Sequence, residues 1–239
     1  MNDVRAHVRE CYRRVSFACA ACGRSPDSVT IIAASKTQSV AGIIDAGAAG
    51  ITDFGENYVQ ELVEKKSKTD ALAARWHFIG HLQSNKVKYI APFVSCIHSV
   101  DSRSLASEIS KQALKFERCI DILLQVNTSG EASKSGIKPS SVGDLALFVH
   151  SLPGVRLVGL MTIPAPADSE NAVRKEFALL RSLRLMIHDE LGISSCTELS
   201  MGMSDDFEVA IEEGATMIRP GTVIFGERHY PTSPSIPQS

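Results

Sequence analysis

Lys36 closes the first strongly apolar run of the chain, Val29-Thr30-Ile31-Ile32-Ala33-Ala34-Ser35-Lys36-Thr37. A β-branched, small-residue stretch of this kind reads as a strand buried on both faces. A lysine at its C-terminal end, with Thr37-Gln38-Ser39 leading into a helical segment, stands where α/β proteins place reactive groups. An amine at the edge of an apolar core loses hydration, which disfavours the charged form. A neutral amine attacks a carbonyl and forms a Schiff base. The plain alternative is a solvated lysine at a strand end.

The other end of the chain shifts that balance. Ser200-Met201-Gly202-Met203-Ser204-Asp205 offers a hydroxyl, a glycine that lets backbone amides approach an anion, and a helix start. Arg219-Pro220-Gly221-Thr222 again supplies a glycine and a hydroxyl ahead of a helix. Either loop alone is ordinary turn chemistry. Asp205 and Asp206 read as first-turn acids favoured by the helix dipole. An amine on the first strand and an anion cradle on the last two suit a phosphorylated aldehyde, of which pyridoxal 5′-phosphate is the common one.

The elements that must position these groups alternate regularly. A leading amphipathic helix carries Val4, Val8, Cys11, Val15, Ala18 and Cys22 on one stripe. Strands are expected at 29–36, 51–55, 75–80, 95–100, 120–126, 155–163, 196–200 and 215–219. The helices between them are expected near 40–48, 57–68, 84–91, 102–115, 142–150, 169–191, 204–213 and from 222. Eight strand–helix pairs imply a parallel sheet, and in this length a single closed (β/α)8 barrel over residues 1–230. In such barrels the loops after strands seven and eight build the phosphate site. The tail 231–239 is polar and proline-rich and is expected to be disordered.

Composition narrows the function classes. A net charge of -2 over 239 residues argues against bulk attraction to nucleic acid or anionic lipid. No apolar run approaches the ~20 residues of a membrane span, and the N-terminus has no secretory h-region. Six scattered cysteines suit a reducing compartment, so the cytoplasm is the expected location. Cys19-Ala20-Ala21-Cys22 closes a helix instead of following a strand, which reads as packing and not as a redox motif. His77, His81 and His98 lie at or near strand ends, so none pairs with another on a helix face as metal ligands do; His77 reads as strand packing.

Several segments together resemble one family. They are Ala34-Ser35-Lys36-Thr37, Phe54-Gly55-Glu56-Asn57-Tyr58-Val59-Gln60-Glu61, Trp76 through Lys86, His98-Ser99-Val100-Asp101, Gln125-Val126-Asn127, Ser133-Lys134-Ser135-Gly136, Leu199 through Ser204, and Arg219 through Gly226. In this order, over nearly the whole chain, they resemble the pyridoxal phosphate homeostasis protein (YggS/PROSC) family. Its fold is similar to the N-terminal barrel of alanine racemase. The resemblance implies a Schiff base with pyridoxal 5′-phosphate on Lys36. It also implies phosphate contacts from Ser200, Met201, Gly202, Gly221 and Thr222, with Asn57 and His81 beside the cofactor. Arg219 would face the pyridine nitrogen, where a permanent guanidinium disfavours ring protonation and weakens the ring as an electron sink. Pro220 stands where the family usually has an aliphatic residue, and it removes one backbone donor.

The function this implies is a monomeric carrier that buffers the cofactor and delivers it to apo-enzymes dependent on it. Lys134, in the loop after the fifth strand, reads first as a solvated loop lysine and second as a contact for cofactor or partner on the same rim. The alternative is a racemase-like enzyme. A racemase needs a second base, and neither Tyr58, Tyr89 nor Tyr230 has a motif placing it over a ring; Tyr58 and Tyr89 read as helix-face packing. A Schiff-base aldolase would use a similar lysine on the same barrel.

Overall fold

The computed structural model describes residues 3–131, 133–165 and 169–226. The expected tail at 231–239, and Tyr230, lie outside them. Eight parallel strands hydrogen-bond in chain order: β1 (Thr30–Ala34), β2 (Asp53–Glu56), β3 (Arg75–Phe78), β4 (Cys96–Val100), β5 (Ile120–Gln125), β6 (Val155–Met161), β7 (Glu198–Ser200) and β8 (Met217–Ile218). β8 returns to β1 through Thr30↔Met217 and Ile31↔Ile218, closing the (β/α)8 barrel and leaving no sheet edge to template aggregation.

The helices are α1 (Val4–Ala21), α2 (Val40–Ala48), α3 (Val59–Lys68), α4 (Val87–Ile90), α5 (Arg103–Lys115), α6 (Val142–His150), α7 (Glu170–Leu185), α8 (Phe207–Glu212) and α9 (Thr222–Phe225). α1 starts where the Asp3 carboxylate accepts the Ala6 N–H. Its helical-period stripe buries Val8, Cys11, Val15, Ala18 and Cys19 against α2, α8 and α9. The Cys19–Cys22 pair therefore closes a packed helix, and burial raises the Cys19 thiol.

Strand side chains divide between two cores. Outward residues such as Phe54 and Trp76, with ring centroids 5.6 Å apart, pack under the helices. Inside the barrel Cys96, Leu123, Val158 and Met161 form a small apolar layer. Each fully buried aliphatic or aromatic side chain contributes roughly 1.5–3 kcal/mol.

Several elements are shorter than their pattern suggests, for identifiable reasons. β1 stops at Ala34 because Thr37 turns the chain with φ +64°. The segment at 84–91 is a 3-10 turn, Ser84–Lys86, followed by the single turn α4. α8 begins only at Phe207, because Asp206 Oδ1 accepts the Met203 N–H at 2.6 Å and holds 203–206 as a turn. α7 yields at Leu185 to a π-helical turn, Met186–Glu190. Tyr58 and Tyr89 do not pack as helix-face residues: they are 58% and 50% exposed.

Candidate functional site

Lys36 is half-buried, two residues past the end of β1, and the backbone on either side of it is clamped. The Ser35 N–H donates to Gly55 O, and Ser35 O accepts from Lys65 Nζ at 2.8 Å. The Thr37 N–H donates to Glu61 Oε2 at 2.9 Å. Lys65 is buried, and its ammonium also donates to Glu56 Oε1 at 2.7 Å and Glu61 Oε2 at 2.8 Å. All three ammonium donors are thus met. A β-branched residue in the left-handed region costs on the order of 1–2 kcal/mol. The Glu61 bond holds Thr37 there and so fixes how Lys36 leaves its strand.

The opposite wall comes from the ends of β7 and β8. Arg219 is buried, and that burial lowers its guanidinium to about 10. Its Nη1 donates to Ser200 Oγ at 2.6 Å and its Nη2 to Thr162 O at 2.7 Å. The N–H groups of Gly221 and Val223 converge on Ser204 Oγ at 3.0 and 3.3 Å. Two backbone donors thereby share one oxygen position, an arrangement that also suits an anionic oxygen.

A cavity of about 210 Å³ brings Lys36, Asn57, Ser204, Arg219, Gly221 and Thr222 onto one wall system. A second, of about 230 Å³, shares Asn57, Ile79 and Ile163 with it and adds His81, Gln125 and Lys134. Asn57 Oδ1 is buried with no hydrogen-bond partner among the described residues. Gly80 presses on the Asn57 backbone so closely that a Cβ there would stand 2.3 Å from the Asn57 carbonyl oxygen. Only glycine permits that approach.

The structure brings together Lys36, Asn57, Arg219, Gly221 and Thr222, and places the exposed His81 on the adjoining wall. Ser200, Met201 and Gly202 line neither cavity. Ser200 faces the barrel interior, its hydroxyl committed to His98 and Arg219. The Met201 N–H is spent on Met217 O in the strand ladder. Gly202, at φ +92°, is required because a Cβ would stand 2.6 Å from that of Ala210. Ser204 is the residue sequence reasoning passed over. Its signal was a second hydroxyl in the same glycine loop, masked by a helix start expected at 204.

His77 also departs from its expected packing role. β3 and β4 pair His77 with Cys96, and His98 follows two residues later on the same strand face. Ligand-capable atoms of His77, Cys96 and His98 lie within 4.8 Å of one another. The two imidazoles hydrogen-bond directly to each other at 2.9 Å, so a shared proton occupies that gap.

Residues 22–229 match the family model for the alanine racemase N-terminal domain. The pyridoxal phosphate homeostasis protein of Pseudomonas aeruginosa is 44% identical over 230 residues, 96% of this chain and 98% of that one. Among solved structures, an unknown protein from Bifidobacterium adolescentis superposes with a TM-score of 0.88 at 38% identity, covering 93% of this chain and 94% of that one. PipY of Synechococcus elongatus PCC7942, solved with pyridoxal phosphate bound, gives a TM-score of 0.80 at 35% identity, covering 89% of this chain and all of that one.

Proposed function

Since the chain belongs to the pyridoxal phosphate homeostasis protein family, within the alanine racemase N-terminal domain family, we propose that it is an intracellular carrier of pyridoxal 5′-phosphate. It holds the cofactor through a Schiff base on Lys36, buffers the free aldehyde, and hands it to apo-enzymes. One observation carries this reading: an amine, a buried guanidinium and a pair of converging backbone donors meet on one cavity.

The residues present fit the cofactor. Asn57 Oδ1 is a buried acceptor without a donor among the described residues, which a hydroxyl-bearing ring would supply. Ser204, Gly221 and Thr222 are the residues that would hold the phosphate, taking over the role expected of Ser200 and Met201. Pyridoxal phosphate supplies an electrophilic aldehyde when bound. Lys36 Nζ bonds to that aldehyde carbon, and the carbonyl oxygen leaves as water. Arg219 stays charged at neutral pH even with its lowered value near 10, so it opposes protonation of the ring nitrogen. That restrains carbanion chemistry and favours holding over turnover.

Among the described residues no tyrosine lines either cavity. His81 and Lys134 share the adjoining wall, where an incoming or departing cofactor would pass. The purified protein is expected to be yellow and to bleach with borohydride, with the added mass on the Lys36 peptide. A colourless protein that gains no mass from added pyridoxal phosphate overturns the reading. Reactivation of a separately prepared apo-enzyme faster than the free cofactor achieves tests delivery.

A further inference from the structure

A single file of hydrogen bonds runs down the inside of the barrel from the Arg219 wall. Ser200 Oγ, already 2.6 Å from Arg219 Nη1, lies 2.8 Å from His98 Nδ1. His98 Nε2 is 2.9 Å from His77 Nδ1, and His77 Nε2 is 2.8 Å from Asp53 Oδ1. All five side chains are buried. Asp53 begins β2, at the end of the barrel away from Lys36.

The two ends of this file dictate its direction. A guanidinium has no acceptor and a carboxylate has no donor. Arg219 must donate to Ser200, Ser200 to His98, His98 to His77, and His77 to Asp53. Both imidazoles are then neutral, with hydrogen on Nε2 and a lone pair on Nδ1. Placing a hydrogen on His77 Nδ1 instead forces His98 into its Nδ1–H form. Ser200 Oγ then receives two hydrogens, and its own finds no acceptor among the described residues. Burial weighs against the Asp53 carboxylate, but hydrogen bonds from His77, Arg75 and Thr52 hold its carboxyl below the ordinary value. Burial likewise drives His98 well below the usual imidazole range, so it stays neutral inside the barrel. Aligned hydrogen bonds among buried groups polarise one another.

Resting on the cofactor reading above, we infer that Asp53, His77 and His98 are positioning residues for Arg219. The file pins one guanidinium N–H inward on Ser200 and so settles which of the others remain for the cofactor ring. A purely structural network would stabilise the barrel without reporting at Arg219.

Two variants separate these roles. Asp53→Asn keeps the shape but lets an amide donate or accept, so the polarity is no longer fixed. His77→Gln keeps a donor toward Asp53 and leaves no ring nitrogen at the Nδ1 position that His98 uses. In the unliganded wild-type protein, nitrogen-15 resonances are expected to show both histidines as Nε2–H tautomers. In both variants the His98 tautomer becomes mixed and the Arg219 guanidinium resonance moves. In the loaded protein the visible band and its pH profile shift and cofactor affinity falls about tenfold, while borohydride still fixes the cofactor to Lys36. Unmoved Arg219 resonances, or an unmoved band in both variants, overturn the inference. A wild-type protein that never loads overturns the cofactor reading instead, and the unliganded resonances still decide the file.

Discussion

The two mouths of the barrel differ in a way that cavity size does not capture. The N-terminal mouth holds a cavity of about 490 Å³; at the other mouth the cavities of about 210 and 230 Å³ adjoin a third of about 690 Å³ through Ile163, Met203, Asp205 and Lys134. The charged side chains of the N-terminal mouth are spent on one another. Arg156 grips Asp121 with two bonds of 2.7 and 2.8 Å, and Arg75 holds Asp53 at 2.9 Å. Glu198 accepts from Thr197 and Thr216. At the C-terminal mouth Asn57 Oδ1 lacks a donor among the described residues, and two amides converge on one serine oxygen. Unmet or exchangeable polar groups distinguish this mouth from the other and make it the end proposed to bind. The arrangement agrees with the general placement of barrel chemistry at the C-terminal ends of strands.

The contrast breaks most directly at Lys36. Lys36→Arg keeps a cation but supplies no amine able to bond an aldehyde carbon. Visible absorbance and borohydride-fixed mass are expected to vanish completely. Retained colour at full occupancy would falsify the assignment.

Gly80→Ala sharpens the comparison without touching a reactive group. The new Cβ would lie 2.3 Å from Asn57 O and 2.6 Å from its Cα, so the Asn57 backbone has to move. Overpacking of this kind costs about 1–3 kcal/mol. The melting temperature is expected to fall, and cofactor affinity to drop about tenfold, for a loss near 1.4 kcal/mol. An unchanged titration curve means that Asn57 does not contact the ligand.

The interior between the mouths makes its own demand on pH. His98 has a folded-state value well below the ordinary 6.5, chiefly through burial, with the Arg219 charge adding to it. Below about pH 6.5 the unfolded chain takes a proton that the folded His98 refuses. Stability is therefore expected to fall on acidification from pH 7, by up to about 1.4 kcal/mol per pH unit for this one group. Asp53, whose folded value is lowered, adds a further loss as the pH drops through that value, below about 4. Chemical denaturation across pH 5–7 measures the slope, and His98→Phe should flatten it. An equal slope in that variant assigns the loss elsewhere.

Much of this was written in local pattern. The alternation of apolar strands with amphipathic helices predicts the barrel, because each parallel strand must be covered and each helix must bury a stripe. Lys36, Gly221 and Thr222 were legible because loops after a barrel's first and last strands converge by topology alone. The interior file was not. His77 and His98 lie on separate strands, and only the β3–β4 register sets one beside the other. The direction of Ser200 was hidden for a related reason. Its hydroxyl looked like a loop donor, but as the last residue of β7 it points by strand alternation into the barrel. Loop chemistry can be read along the chain, whereas side-chain direction at a strand end depends on a register that a single sequence does not state.

The smallest expected effect tests whether the N-terminal mouth is passive. Arg156 is 60% and Asp121 29% exposed as side chains. An ion pair so open to water is worth about 0.2–1 kcal/mol, even with two bonds. Arg156→Ala should shift the melting temperature only slightly and leave cofactor loading within twofold of wild type. The side-chain hydrogen bonds of Arg156 go to Asp121 and not to the interior file, so removing it should disturb the rim without altering the proton arrangement inside. A loading defect well beyond twofold means that charge at the far mouth reaches Arg219 by some route other than Asp53. The two ends would then be one coupled site.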